Sequence, residues 1–226
     1  MEQVLCRIFN KLFNYFNIFY EIFERAFEQC GFSSLLTIFG VKGIEDAGWN
    51  AYKSSVNIIN SITQHSRTIQ DSLTQRNLSL WIYGHIMEAS EPYENIMNLL
   101  DIITGEQYSI LKFPLKKSGT PQSPGEKIQK IVAKAESLGI TSLKDIYCEL
   151  WDRNLRNAIF HSDYSLYGNE VRIRSPFTVY SHEDINKLVN SALAYFQVID
   201  NLRIMFSAFR RQFLPLYLCW YEQEKA

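Results

Sequence analysis

Helix-breaking residues are rare in this chain, and no other feature limits its fold as strongly. Only 10 of the 226 residues are glycine and 6 are proline, whereas 46% are hydrophobic and 14% are aromatic. Few breakers and many core-forming residues favour regular structure, and favour helices over many short strands. Three of the six prolines lie within residues 113–125, so the sequence predicts its one clear loop there.

Apolar residues recur at helical spacing along most of the chain. One such stripe consists of Phe9, Phe13, Phe16, Phe23 and Phe27. It predicts a helix that faces the core or a dimer interface. An interfacial membrane helix is the alternative, but its polar face would be rich in Lys and Arg, whereas glutamates share this one.

Six further helices are predicted from the same spacing and from capping signals. Ser123, Pro124 and Glu126 have the pattern of a capping box with proline at the first helical position. Two of them cover residues 45–75 and 77–89, and a third begins near Pro92. A fourth runs from Pro124 to about Gly139, and a fifth covers residues 142–161. A long final helix is predicted to begin after Ser181 and to stop by Pro215.

The spacing changes from helical to alternating only over residues 164–174. Apolar and polar residues alternate there around Gly168 and Asn169, which is typical of a β-hairpin with a two-residue turn. We therefore predict one all-α domain over residues 1–226, with a small hairpin inserted between the last core helices. It comprises a Phe-rich N-terminal segment over residues 1–42 and a helical core over residues 44–214.

The charge balance excludes a protein that coats nucleic acid through bulk positive charge. The net charge is −1, from 23 basic and 24 acidic residues. Residues 1–112 hold 8 basic and 12 acidic residues, a net −4, and residues 113–226 hold 15 and 12, a net +3. An anion-binding site is therefore favoured in the second half of the chain.

Cysteine usage and hydropathy predict a cytoplasmic protein without a membrane partner. The four cysteines are scattered and form no CxxC pair, so we expect reduced, buried thiols. The longest uncharged run near the N-terminus has nine residues, over 12–20. A membrane-spanning helix needs about 20 apolar residues.

Common catalytic and cofactor motifs do not occur in the sequence. There is no GxxxxGK[ST], GxGxxG, GxSxG or HExxH string. The four histidines include no pair at metal-ligand spacing. We therefore predict neither a metal site nor a cofactor.

The chemically informative segment lies at the end of a predicted helix, just before the hairpin. Arg156 and His161 are separated by four residues, and Asn157 follows the arginine directly. On a continuous helix the side chains of Arg156 and His161 would diverge by about 140°. Asn157 and His161 would share a face with Arg153. Arg156 and His161 can therefore converge only where the helix ends or across a second protomer.

This segment resembles the signature of the HEPN superfamily, an arginine followed after four to six residues by a histidine. An asparagine directly after the arginine is the commonest form of that signature, and Asn157 has this position. The resemblance implies a HEPN-like helical bundle that dimerises. It also implies a metal-independent endoribonuclease with a composite cleft, of the kind found among toxins and antiviral defence proteins.

RNA cleavage by the ribose 2′-hydroxyl needs a base, an acid and a cation for the phosphate. Histidine side chains commonly exchange protons near neutral pH, so His161 is the candidate base. Arg156 can bind phosphate oxygens with two hydrogen bonds, and Asn157 can orient either group. Candidate substrate-binding residues at the rim are Arg153, Asp163 and Tyr164. The expected partners are RNA, a second copy of the chain, and an inhibitory or activating protein.

The alternative is a non-catalytic helical module that binds a partner protein or a nucleotide through the same cleft. An Arg156 held by Asp152, four residues earlier, together with a buried His161, would favour that alternative.

Two other groups of residues have ordinary structural interpretations. The basic residues at helical spacing, predicted to form a solvated face, are Lys127, Lys130 and Lys134. The tryptophans predicted to anchor the core are Trp49, Trp81 and Trp151.

Overall fold

The computed structural model describes residues 2–29, 49–109 and 111–223, which fold into a mostly helical structure with one small sheet. The helices are α1 Glu2–Glu28, α2 Trp49–Ser66, α3 Ser72–Glu88, α4 Glu91–Ile103, α5 Pro124–Ser137, α6 Ser142–Leu150, α7 Arg153–His161 and α8 His182–Gln223. The strands are β1 Tyr164–Tyr167, β2 Glu170–Ile173 and β3 Thr178–Ser181. The predicted helical class with a small β element is confirmed. The predicted Phe-rich segment is outside the described part at residue 1 and over residues 30–42. The side chains of Phe9 and Trp49 are also outside it.

Helices α1 and α8 pack along each other, and α1 also contacts α4 and α6. Their interface is aromatic: the rings of Phe19 and Tyr195 lie 5.7 Å apart and those of Phe23 and Phe206 lie 5.3 Å apart. The predicted phenylalanine stripe is only partly buried, because Phe13 and Phe27 are exposed. The buried face of α1 includes Tyr15, Phe19, Ile22, Phe23 and Ala26.

The helix predicted over residues 45–75 is wrong, because α2 ends at Ser66 and α3 begins at Ser72. Asp71 caps α3, since its side chain accepts a hydrogen bond from the Thr74 amide at 2.9 Å. An aspartate cap satisfies a free amide of the first turn and so fixes a helix start. Helix α3 therefore begins five residues before the predicted position.

The single helix predicted over residues 142–161 is also wrong, because the chain breaks between α6 and α7. Asp152 caps α7 by accepting a hydrogen bond from the Leu155 amide at 2.9 Å. The buried Tyr83 hydroxyl on α3 donates to the Leu150 carbonyl and accepts from the Asp152 amide, both at 2.9 Å. These bonds satisfy the backbone groups that the break leaves free.

The predicted hairpin is present, with Tyr167 paired to Glu170 across its two-residue turn. It belongs to a three-stranded antiparallel sheet, because β3 pairs with β2. Only β2 has fully buried residues, Val171 and Ile173. The half-exposed β3 lacks a strong hydrophobic signal, which is why the sequence did not predict it.

The final helix does not stop by Pro215 as predicted, because α8 continues to Gln223. A proline inside a helix removes one backbone hydrogen bond and favours a kink, but the helix can continue beyond it.

Buried ion pairs fix the loop between α4 and α5, which begins at residue 104 rather than at the predicted residue 113. The Asp101 carboxylate lies 2.7 Å from the Lys112 ammonium and 3.1 Å from the Lys134 ammonium. Lys127 is buried, lies 3.5 Å from Glu94 and donates to the Ser90 hydroxyl. The predicted solvated basic face is therefore wrong for Lys127 and Lys134.

Two predicted core side chains lie at the surface. Trp81 is 54% exposed, and the thiol-bearing Cys148 is exposed rather than buried. Trp151 is half-buried. In the described part of the chain, we find no helix that is both long enough and apolar enough to cross a membrane.

Candidate active site

Helix α7 carries the predicted motif and packs closely on α3. Its apolar face, Leu155, Ala158 and Ile159, is buried. A Cβ atom at Gly84 of α3 would lie only 3.1 Å from Ile159 Cγ2, so a glycine there permits the close approach. Burial of this face fixes which side of α7 points away from the core.

Helix α7 ends at His161, which is one of the two arrangements that the sequence allowed for this motif. Ser162 has a left-handed backbone with φ of 53°. The Asp163 amide then donates to the Ala158 carbonyl at 2.9 Å, which closes the last turn. His161 is exposed in that turn.

Arg156 is held by three neighbours. Its guanidinium forms an ion pair with Glu88 of α3 and donates to Asn157 Oδ1 at 2.7 Å. It also lies 5.2 Å from the centre of the Phe160 ring. Burial lowers the pKa of Arg156 below its usual value, although an arginine remains charged at neutral pH.

The pair of Arg156 with Asp152, which would favour the non-catalytic alternative, does not form. One carboxylate oxygen of Asp152 caps α7, and the other accepts a hydrogen bond from the Tyr180 hydroxyl at 2.8 Å. The second feature of that alternative, a buried His161, is also not observed.

A groove of about 580 Å³, named here the Arg156 groove, lies beside α7. It is lined by Lys116, Ser123, Gly125, Glu126, Ile128, Gln129, Trp151, Arg153, Arg156 and Asn157. Glu126 lies 2.8 Å from the Lys116 ammonium. That contact, together with the Ser123 cap, lowers the pKa of Glu126 to about 2. With Arg156 already paired to Glu88, Arg153 is the cation of this groove that forms no ion pair with a described residue.

The structure brings only some of the predicted site residues together. Arg153, Arg156 and Asn157 share the groove, whereas His161 does not line it. Asp163 lies 3.8 Å from Arg174, and the Tyr164 hydroxyl donates to Asn77 Oδ1 at 2.5 Å. In one copy of the chain, Asp163 and Tyr164 are therefore engaged in local contacts.

Sequence reasoning missed the face of α3 that lies beside the motif. Trp81, His85 and Glu88 are spaced by four and three residues, and so lie on one side of the helix. Trp81 and His85 are exposed, and Glu88 pairs with Arg156. The helical spacing was visible in the sequence, but nothing in it indicated that α3 and α7 are neighbours.

Comparison of the chain with protein-family models, curated proteins and solved structures finds no match. Among the described residues, His, Cys, Asp and Glu side chains do not gather in a group of three that could hold a metal ion.

Proposed function

We propose that this chain is a HEPN-type, metal-independent endoribonuclease of the cytoplasm, with a role in toxin or anti-phage defence systems. The observation that carries the proposal is the arrangement on α7. Arg156 and Asn157 line a groove, and the helix ends so that the His161 imidazole is exposed. These groups supply a phosphate-binding cation and a titratable base.

The proposed active form is a homodimer, because the groove of one copy does not include His161. A twofold partner would place a second Arg156 and His161 beside the first pair. One imidazole then takes the proton of the ribose 2′-hydroxyl as its oxygen bonds to phosphorus. The second, protonated imidazole gives a proton to the departing 5′-oxygen, and Arg156 binds the phosphate oxygens. An inhibitory or activating protein would act by covering or completing this cleft.

The reaction should proceed without divalent metal, because protein side chains supply every role above. We expect the protein to cleave single-stranded RNA in EDTA at the rate observed with Mg²⁺. Gel analysis of end-labelled RNA measures both rates. Cleavage abolished by EDTA, or absent under both conditions, would contradict the proposal.

The alternative, a non-catalytic interaction module, is supported by one observation. Glu88 neutralises Arg156, which is the charge that the ribonuclease needs for its substrate. If Glu88 competes with RNA phosphate, its removal strengthens RNA binding. If the pair only joins α3 to α7, its removal weakens the fold and leaves RNA binding unchanged.

Glu88→Gln should therefore tighten RNA binding. We expect the slope of log K against log salt concentration to steepen by about 1, since one more phosphate contact forms. Fluorescence anisotropy with labelled RNA at several salt concentrations measures the slope. Glu170→Gln is the matched control, because Glu170 pairs with Arg172 at 2.7 Å on the sheet. Unchanged RNA binding by Glu88→Gln would favour the interaction module.

A further inference from the structure

A second cationic site lies near the start of α3, where Arg76 is only 7% exposed. Its Nη1 donates to the Gly168 carbonyl, and its Nη2 donates to Asn169 Oδ1 at 3.1 Å. Both acceptors are neutral. Its Nε is buried and has no hydrogen-bond partner, and no described carboxylate lies within ion-pair distance of the guanidinium.

Arg76 differs in this respect from the other mostly buried cations. Lys127 faces Glu94 at 3.5 Å, and Arg203 faces Asp200 at 2.8 Å. Lys112 is buried against Asp101. Burial of a charge without a counter-charge is strongly unfavourable, so buried charges in proteins are nearly always paired. An anion supplied from outside the chain would provide the missing partner of Arg76.

Arg76 lines a pocket of about 520 Å³, named here the Arg76 pocket, between α3 and the start of α8. Several hydroxyl, amide and imidazole groups line the same pocket, and no Asp or Glu of the described chain does so. They include the side chains of Ser72, Gln75, His182 and Asn186. The Ser79 hydroxyl also lines the pocket but donates to the Gln75 carbonyl at 3.1 Å. The other four side chains can donate hydrogen bonds to an anion.

Two helix N-termini lie at this pocket. Ser72 is the first residue of α3, and His182 is the first residue of α8. The N-terminal end of a helix carries partial positive charge and binds anions. Three carboxylates lie beside these helix starts, and none of them lines the pocket. Asp71 and Asp184 form cap hydrogen bonds with Thr74 and Ser181, and Glu183 lies 3.2 Å from the Lys187 ammonium.

We propose that the Arg76 pocket binds the phosphoryl group of a small phosphorylated ligand. A guanidinium, an imidazole and a hydroxyl donor, in a pocket that no described carboxylate lines, match the charge and the acceptor oxygens of phosphate. The source is either free inorganic phosphate or a nucleoside monophosphate. The pocket is separate from the Arg156 groove, because Arg76 and Glu88 are twelve residues apart on α3, a rise of about 18 Å. The proposal does not depend on ribonuclease activity.

Isothermal titration calorimetry with inorganic phosphate, AMP and adenosine tests the site on the full chain. We expect saturable binding of phosphate and AMP, mutual competition between them, and no binding of adenosine. Equal affinities for phosphate and AMP would identify free phosphate as a sufficient ligand. Tighter binding of AMP would identify a nucleotide site.

Arg76→Gln should weaken the binding of both anions about tenfold or more, since a hydrogen bond to a charged group is lost with the charge. Arg174→Gln, which changes an exposed arginine outside the pocket, should bind phosphate as the wild type does. His182→Ala with Asn186→Ala alters only exposed pocket residues, and this double variant tests the pocket if Arg76→Gln does not fold. The proposal is overturned if neither anion binds, if adenosine binds as tightly as AMP, or if the folded pocket variants bind phosphate like the wild type.

Discussion

Replacement of His161 by alanine should lower the rate of RNA cleavage by about 10²- to 10⁴-fold, the usual contribution of a positioned acid or base. The His161 side chain is exposed at the end of α7. Stability should therefore change by less than about 0.5 kcal/mol, as for other surface substitutions. Single-turnover cleavage and urea unfolding of the same preparations measure the two effects.

His65→Ala is a matched control for this variant. His65 is also an exposed histidine in the last turn of a helix, α2, but it lies outside the motif. The His65→Ala variant should cleave RNA at the wild-type rate. Equal rates for His161→Ala and the wild type would show that His161 is not a catalytic residue, and equal losses in both histidine variants would point to a general surface effect.

Asp101→Asn should destabilise the folded protein by about 3–5 kcal/mol, the range observed when one partner of a buried ion pair is removed. The Asp101 carboxylate is the shared partner of Lys112 at 2.7 Å and of Lys134 at 3.1 Å. The Lys112 side chain is only 9% exposed, so its ammonium would remain buried without an anionic partner. The midpoint and slope of urea unfolding give the free-energy change.

Two further variants separate the ion pair from other effects of Asp101. Asp145→Asn changes an exposed aspartate of α6 and should leave stability within about 0.5 kcal/mol of wild type. Adding Lys112→Met to Asp101→Asn should recover part of the loss, because the unpaired buried charge is removed. A loss below about 1 kcal/mol for Asp101→Asn, or no recovery in the double variant, would show that the pair contributes little.

Local signals in the sequence were enough to predict several elements of the fold. The start of α5 was predictable because Ser123 and Glu126 form a capping box with each other, and both hydrogen bonds are present. The β1–β2 hairpin was predictable because Gly168 adopts positive φ in its turn. Each of these features depends on residues that are close in sequence.

The helix breaks could not be predicted in the same way. Apolar spacing continues through Asp71 and Asp152, so periodicity alone gave helices that were too long. At the second break, the deciding hydrogen bonds come from the hydroxyl of Tyr83, a residue of another helix. Such a tertiary contact leaves no periodic signal in the sequence.

The candidate site shows the same division between local and tertiary information. The sequence alone predicted Arg156, Asn157 and His161 as candidate site residues, and a helix end at the motif was one of the two arrangements it allowed. It did not indicate that Glu88 pairs with Arg156, since that contact depends on the packing of α3 against α7. The pairing of Asp163 with Arg174 and of Tyr164 with Asn77 also depends on how the sheet folds back.

The most direct test of the central claim is the chemical end that the wild-type protein leaves on cleaved RNA in EDTA. Attack by the ribose 2′-hydroxyl produces a 2′,3′-cyclic phosphate on one fragment and a 5′-hydroxyl on the other. Mass spectrometry of a short oligonucleotide distinguishes these ends from a 3′-hydroxyl and a 5′-phosphate. We predict cyclic phosphate ends, and no cleavage of an oligonucleotide with 2′-deoxy sugars throughout. Ends with a 3′-hydroxyl, or cleavage of the deoxy oligonucleotide, would contradict cleavage by the 2′-hydroxyl.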